Sequence, residues 1–242
     1  QRAMRERVTD PDYAYGIHEI TKKEVPRRIE YIIDKSQACK AMLGHPFILR
    51  SVEELQGRNF IPTRDSKVFK TEGQGTAVPW HRDSGAEGVL DTPIFNVDFY
   101  LDNADISNCV WGILGSNQWS GDEAAARIEQ LNEGGFQTDD DCVPIPTQAG
   151  DVLFHNILAL HGSPPSVTKL RRTVYYEFRS AETEIAKGPH APAYIPVKQR
   201  VLQACLRDRA NAPYAKGDKR YEHRPTGAFA VTPLQPEETL ET

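Results

Sequence analysis

Three short pieces of the chain carry side chains that could share one metal ion: His81-Arg82-Asp83, His161 within His161-Gly162-Ser163, and Arg172. The first two supply two imidazoles and one carboxylate. That set holds one face of a non-haem Fe(II) and leaves the other positions open for chemistry with oxygen. In an extended segment residues i and i+2 point to the same side, so His81 and Asp83 could reach one ion from a single strand edge. A His-x-Asp triplet also arises by chance and fits a surface loop as well. Arg172 could hold an acidic co-substrate beside the metal, or pair internally with an Asp or Glu.

The elements around these pieces must bring them together. Val152 to Leu160 reads as a strong strand leading directly into His161, with Pro164-Pro165 turning the chain behind it. His155 shares the parity of His161 but sits mid-run, which favours a supporting role beside the site over ligation. Arg172 heads a second strand through Phe178. There Arg172, Val174, Tyr176 and Phe178 share a mostly apolar face, while Thr173, Tyr175, Glu177 and Arg179 share the other. An arginine on an apolar face is costly to bury unless paired, and a bidentate carboxylate would solve that. Arg171 falls on the polar face and reads as solvated.

Residues 94–101 alternate as a strand, with Phe95, Val97, Phe99 and Leu101 on one face and Asn96, Asp98 and Tyr100 on the other. Val110 to Leu114 is a short apolar stretch. Helices are expected over 22–43, ended by Gly44-His45-Pro46, over 121–133 with a Ser120/Glu123 capping box, and over 196–209 with Val197, Val201, Ala204 and Cys205 on one face. Residues 1–20 read as a surface segment, and 47–80 as short strands broken by Gly and Pro. The last dozen residues read as a loose acidic tail. The whole is mainly β, a jelly roll or cupin-like double-stranded β-helix with flanking helices, in a single domain over 1–242. Its metal-site core covers about 75–180, with a helical and loop extension over about 181–242.

Bulk properties narrow the partners. The chain has 242 residues and a net charge of −5, against the basic excess of a nucleic-acid surface. No apolar run approaches the roughly 20 residues of a membrane helix, and no signal-peptide core is visible. Cys39, Cys109, Cys142 and Cys205 are widely spaced and read as free thiols of a reducing compartment. A cytoplasmic protein acting on a small molecule, with no nucleic-acid or membrane partner, is expected. The chain starts at Gln1, so a native start and a targeting segment could be missing. Oligomeric state is not legible.

His-Arg-Asp also opens the catalytic loop of protein kinases, which needs an Asn five positions after the Asp. Gly88 stands there and no Gly-rich nucleotide loop precedes it, so that reading fails.

Over about residues 75–180 the chain resembles the phytanoyl-CoA dioxygenase family of Fe(II)/2-oxoglutarate oxygenases. The resemblance rests on Pro79-Trp80-His81-Arg82-Asp83, Trp111-Gly112-Ile113-Leu114-Gly115-Ser116-Asn117, Gly150-Asp151-Val152-Leu153-Phe154, His161-Gly162-Ser163 and Arg171-Arg172, in the family's order and spacing. It implies His81, Asp83 and His161 as iron ligands, Arg172 on the distal carboxylate of 2-oxoglutarate, and Ser163 near that co-substrate. The implied fold is the double-stranded β-helix. The implied reaction hydroxylates or otherwise oxidises a C–H bond, consumes O2 and releases succinate and CO2. Asp83 occupies a position that related halogenases leave vacant for halide, which favours hydroxylation or a related oxidation such as desaturation.

Family members often have Pro-Gly-Ser-His where this chain has Leu114-Gly115-Ser116-Asn117, which bears on local pocket shape. Upstream of residue 75 no match is evident, and the usual N-terminal strand region reads as short or absent.

The substrate itself is not legible. Trp80, Arg82, Trp111 and Arg179 could line a pocket, although packing or solvated roles suit each. Arg64, Lys67 and Lys70 read as an ordinary charged edge that could attract an anion. Two rival readings stay open: a non-catalytic jelly-roll binding module, and a cupin-type metalloenzyme that does not use 2-oxoglutarate and has no need of Arg172.

Overall fold

The computed structural model describes residues 7–18, 20–73, 77–83, 93–166, 169–235 and 238. Gly88 and most of the acidic end of the chain lie outside the described residues. Among the described residues, ten strands form two antiparallel sheets: β1 (Tyr13–Ile17), β2 (Glu24–Glu30), β3 (Phe60–Lys70), β4 (Val78–His81), β5 (Phe95–Tyr100), β6 (Val110–Ile113), β7 (Cys142–Ile145), β8 (Val152–Asn156), β9 (His161–Ser163) and β10 (Arg171–Ser180). One sheet has the order β1-β2-β3-β10-β5-β8, the other β4-β9-β6-β7. From β3 onward the chain passes repeatedly from one sheet to the other, as a jelly roll requires. The mainly β architecture with flanking helices is therefore the one expected.

The chain divides into two compact units. The first holds residues 1–30, 66–91 and 96–175, and the second 31–65, 92–95 and 176–242. Strands β3 and β10 run from one unit into the other. All the residues expected at the metal lie in the first. Its small sheet packs Trp80, Ile113, Leu131, Cys142 and Leu160 into one cluster beneath α4 (Gly121–Asn132). The α4 capping box is present: Ser120 Oγ accepts from Glu123 N, and the Glu123 carboxylate accepts from Ser120 N.

The second unit carries the helices α1 (Ile32–Lys35), α2 (Gln37–Leu43), α3 (Pro46–Gln56), α5 (Ala181–Lys187) and α6 (Tyr194–Asn211). Ile61, Ala181 and Ile195 form a small cluster within it. A Cβ on Gly44 would stand 2.3 Å from Cys205 O, so glycine at the end of α2 is what lets α2 pack directly on the α6 backbone.

Three local expectations are corrected. Residues 24–30 form a strand rather than the start of a helix. Pro26 cannot donate to a helical ladder and sits at the bulge opposite Tyr15, while Arg28 and Ile29 pair with Val68 and Lys67 of β3. Helix begins only after Tyr31, whose φ of 51° turns the chain. The apolar clusters of 47–56 belong to α3, where Pro46 occupies the first turn and Ile48, Leu49 and Val52 form the buried stripe. Val197 is exposed, so the buried face of α6 is carried by Ile195, Val201, Leu202 and Cys205. Among the described residues no helix is long and apolar enough to cross a membrane.

Candidate metal centre

β8 ends at Asn156, and the chain then turns across to the other sheet. His161 therefore opens a new strand instead of closing the run from Val152. Asn156 drives the break: its side-chain oxygen accepts from Leu158 N and its carbonyl from Ala159 N. β9 then pairs antiparallel with β4 and places His161 directly opposite His81, with ring centroids 4.3 Å apart. Asp83 follows the end of β4, fixed by its amide to Ile157 O at 3.0 Å. One ligand atom from each of His81, Asp83 and His161 lies within 4.8 Å of the others.

The hydrogen bonds around these side chains prepare them for a cation. His81 donates through Nδ1 to Pro79 O at 2.8 Å, and His161 through Nδ1 to Ala159 O at 3.0 Å. A proton held on Nδ1 leaves the Nε2 lone pair of each ring free, the outer-atom arrangement that orients metal-binding histidines. Those Nε2 atoms stand 3.4 and 3.8 Å from the two oxygens of Asp83. Asp83 Oδ2 accepts from Asn96 Nδ2 at 2.7 Å and His155 Nε2 at 3.0 Å, while Oδ1 faces His81. His155 also donates through Nδ1 to Asp98 Oδ2 at 2.9 Å, and Asp98 is buried.

Proton affinities follow from this layout. Burial works against a charged His155, but Asp98 and Asp83 outweigh it and push the imidazole up to about 10. Burial draws His161 down to about 3, helped by the charge of His155. Burial also opposes ionisation of Asp83, yet hydrogen bonds from His155 and His81 hold its carboxyl well below the usual range. His81 is raised: burial opposes this, and the hydrogen bond to Asp83 prevails. An ionised carboxylate, a neutral imidazole and a second imidazole whose proton a cation could replace form a donor set that fits a divalent metal.

The other expected residues separate. Trp80 points away from the metal ligands into the core, stacked on Phe136 at 5.4 Å and donating from Nε1 to Gln137 O, so it is a packing residue. Arg82 donates to Ser116 O and Trp119 O. It braces the turn after Leu114, whose Ser116 hydroxyl accepts from Leu160 N just before His161. Trp111 packs against the same core cluster as Trp80. Arg179 lies in the second unit, bonded to Glu177 and Glu184.

Ser163 is buried and accepts from Lys70 Nζ at 2.7 Å. Lys70 is therefore no part of a charged edge, although Arg64 is exposed. Arg172 makes the internal carboxylate pair that was one of its two readings, while Arg171 is buried rather than solvated. Arg172 is partly exposed and forms a two-pronged pair with Asp102, at 2.7 and 2.6 Å. Arg171 is 3 % exposed and donates to Asn108 O at 2.5 Å. Both faces of β10 are covered, so its apolar row does not mark the side of the His81, Asp83 and His161 cluster. Asn96 bonds to Asp83, and Asp98 reaches it through His155, from the other side. The alternation of 94–101 already displayed Asn96 and Asp98 on one face, whereas nothing local in the sequence singled out Lys70.

The phytanoyl-CoA dioxygenase (PhyH) family model matches residues 4–174. The chain belongs to the phytanoyl-CoA dioxygenase family. The match begins well upstream of residue 75, where none was evident in the sequence, so β1, β2 and β3 lie within it. This family member resembles the crystal structure of EvdMO1, with 28% identity and a TM-score of 0.61 over 74% of this chain and 41% of that one. It thus spans less than half the length of EvdMO1. AviO1 from Streptomyces viridochromogenes Tue57 shares the fold at 24% identity and a TM-score of 0.57, over 71% of this chain and 75% of that one. HygX from Streptomyces hygroscopicus, solved with nickel and 2-oxoglutarate bound, shares it at 17% identity and a TM-score of 0.51, over 63% and 69%. No curated protein sequence matches.

Proposed function

We propose that the protein is an Fe(II)- and 2-oxoglutarate-dependent dioxygenase that oxidises a C–H bond of a small molecule, most simply by hydroxylation. The observation that carries this is the convergence of His81, Asp83 and His161, each histidine with Nδ1 tied to a carbonyl and Nε2 turned inward. Family membership and the HygX complex with 2-oxoglutarate support the choice of co-substrate.

Bound Fe(II), with 2-oxoglutarate and O2, supplies the oxidant, and succinate and CO2 are the co-products. The chain's part is placement. Three protein donors leave the remaining coordination positions to the co-substrate and oxygen. Asn96 and His155 engage Asp83 Oδ2, which would leave Oδ1 as the carboxylate's donor to a metal. A carboxylate at this position leaves no ligand vacancy for halide, which favours hydroxylation over halogenation.

The test is an anaerobic Fe(II) titration followed by succinate measurement under O2. One equivalent of iron should bind, and Asp83→Ala or His161→Ala should abolish both binding and succinate release. Iron binding with no 2-oxoglutarate binding would point to a different metalloenzyme. Binding of neither would leave a binding module.

A further inference from the structure

We propose that Asn132 is a positioning residue for the metal centre, acting on His81 through the backbone of Trp80. The inference rests on the metal reading above and concerns what holds one of its ligands in place.

Among the described residues β4 lies at the edge of the small sheet and pairs with β9 alone. An edge strand leaves backbone N–H and C=O groups without a strand partner. At Trp80 a side chain takes that place. The carboxamide of Asn132 accepts from Trp80 N at 2.9 Å and donates through Nδ2 to Trp80 O at 2.9 Å. A carboxamide carries an acceptor and a donor side by side, so it completes the ladder as a peptide of a neighbouring strand would. Asn132 is the last residue of α4, and the turn behind it grips the same tryptophan. Phe136 stacks on the ring, and Gln137 O accepts from its Nε1 at 2.6 Å. Gly135 N and Gln137 N donate to Asn132 O and Leu131 O, which ties that turn to the helix.

The two bonds fall on the two peptide units that flank Trp80. Trp80 N belongs to the Pro79–Trp80 peptide, whose carbonyl accepts from His81 Nδ1 at 2.8 Å and so leaves Nε2 for the cation. Trp80 O belongs to the Trp80–His81 peptide, which leads directly into the His81 backbone. Peptide units are planar, so a group held on one edge of the plane holds the whole unit. Asn132 therefore fixes both the direction in which the His81 side chain leaves β4 and the acceptor that orients its ring. Groups directly behind a metal ligand govern affinity by about 10–100-fold, and Asn132 stands one step further back.

Anaerobic Fe(II) titration separates positioning from plain loss of stability. Asn132→Leu nearly keeps the side-chain volume and removes both bonds, and should weaken Fe(II) binding about fivefold or more. Asn132→Asp keeps the acceptor and loses the donor, and should weaken it about threefold. Leu131 is buried in the core cluster beneath α4. Leu131→Ala opens a cavity there and lowers the unfolding temperature without touching either bond, so it should leave Fe(II) affinity within about twofold of wild type. Co(II) bound in place of Fe(II) reports ligand geometry: its d–d bands should shift in Asn132→Leu and stay in place in Leu131→Ala. Should Asn132→Leu fail to fold, Asn132→Asp carries both measurements. Wild-type affinity with unshifted bands in the Asn132 variants, or equal losses in Leu131→Ala, overturns the positioning role and leaves the proposed reaction standing. Failure of wild type to bind Fe(II) overturns both.

Discussion

The Nε2 of His155 stands 3.0 Å from Asp83 Oδ2, while its Nδ1 stands 2.9 Å from Asp98. A single charged imidazole thus links a buried carboxylate to one that the metal would use. Asn96 supplies a second bond to the same Asp83 oxygen at 2.7 Å. Groups that orient a metal ligand from behind typically govern affinity or activity by about 10–100-fold. His155→Leu should weaken Fe(II) binding by that factor, as should Asp98→Asn to a smaller degree. Asn96→Ala should cost less than His155→Leu, since it removes no charge. Equal Fe(II) affinity in wild type and His155→Leu, by anaerobic titration, would refute the link.

β9 offers a separate handle on the same ligands. Between His161 and Ser163 lies Gly162, where a Cβ would meet Phe136 Cε2 and Val78 O at 3.0 Å and Trp80 N at 3.1 Å. Two of those atoms are backbone and cannot rotate away. Gly162→Ala must therefore lift β9 from β4, the pairing that sets His161 against His81. Overpacking of this kind costs about 1–3 kcal/mol. The variant should lose that much in thermal or urea unfolding and also bind Fe(II) more weakly. Full stability together with normal iron affinity would show that β9 has room the geometry denies it.

The cluster of His81, Asp83 and His161 was legible because its residue types come in fixed order, and chemistry restricts which types can hold a metal. The strand over 94–101 was legible from its alternation. Residues 24–30 were not, because Val25 and Ile29 fit helical spacing as well as a strand and only the pairing with β1 and β3 decides. Arg171 was misread as solvated for a related reason. On an ordinary half-buried strand the apolar face is the inner one, but the side of β10 and β5 that faces the cluster of His81, Asp83 and His161 is polar, carrying Arg171, Tyr175, Asn96 and Asp98. Lys70 was invisible for want of any local signal, since its burial depends on Ser163 and Arg171, far away in sequence.

The pair formed by Arg172 and Asp102 should behave as a stabilising brace. Its side chains are 27% and 20% exposed, between the exposed and buried limits. A bidentate charged pair in that setting contributes about 1–2 kcal/mol. Arg172→Gln and Asp102→Asn should each lower unfolding stability by this order. The double variant should fall short of the sum, since both changes remove one interaction. Strict additivity in chemical denaturation would show that the two side chains are independent.

Lys70 makes the site sensitive to pH in a definite direction. Burial and then the charge of Arg171 draw its ammonium from 10.5 down to about 7. Its folded pKa lies below the unfolded one, so between about 7 and 10.5 the unfolded chain holds a proton that the folded protein has released. Stability from this group therefore rises with pH across that window, and Lys70→Met should flatten the rise. Urea unfolding of wild type and Lys70→Met from about pH 7 to 10 measures the two slopes. Equal slopes would show that another group releases the proton.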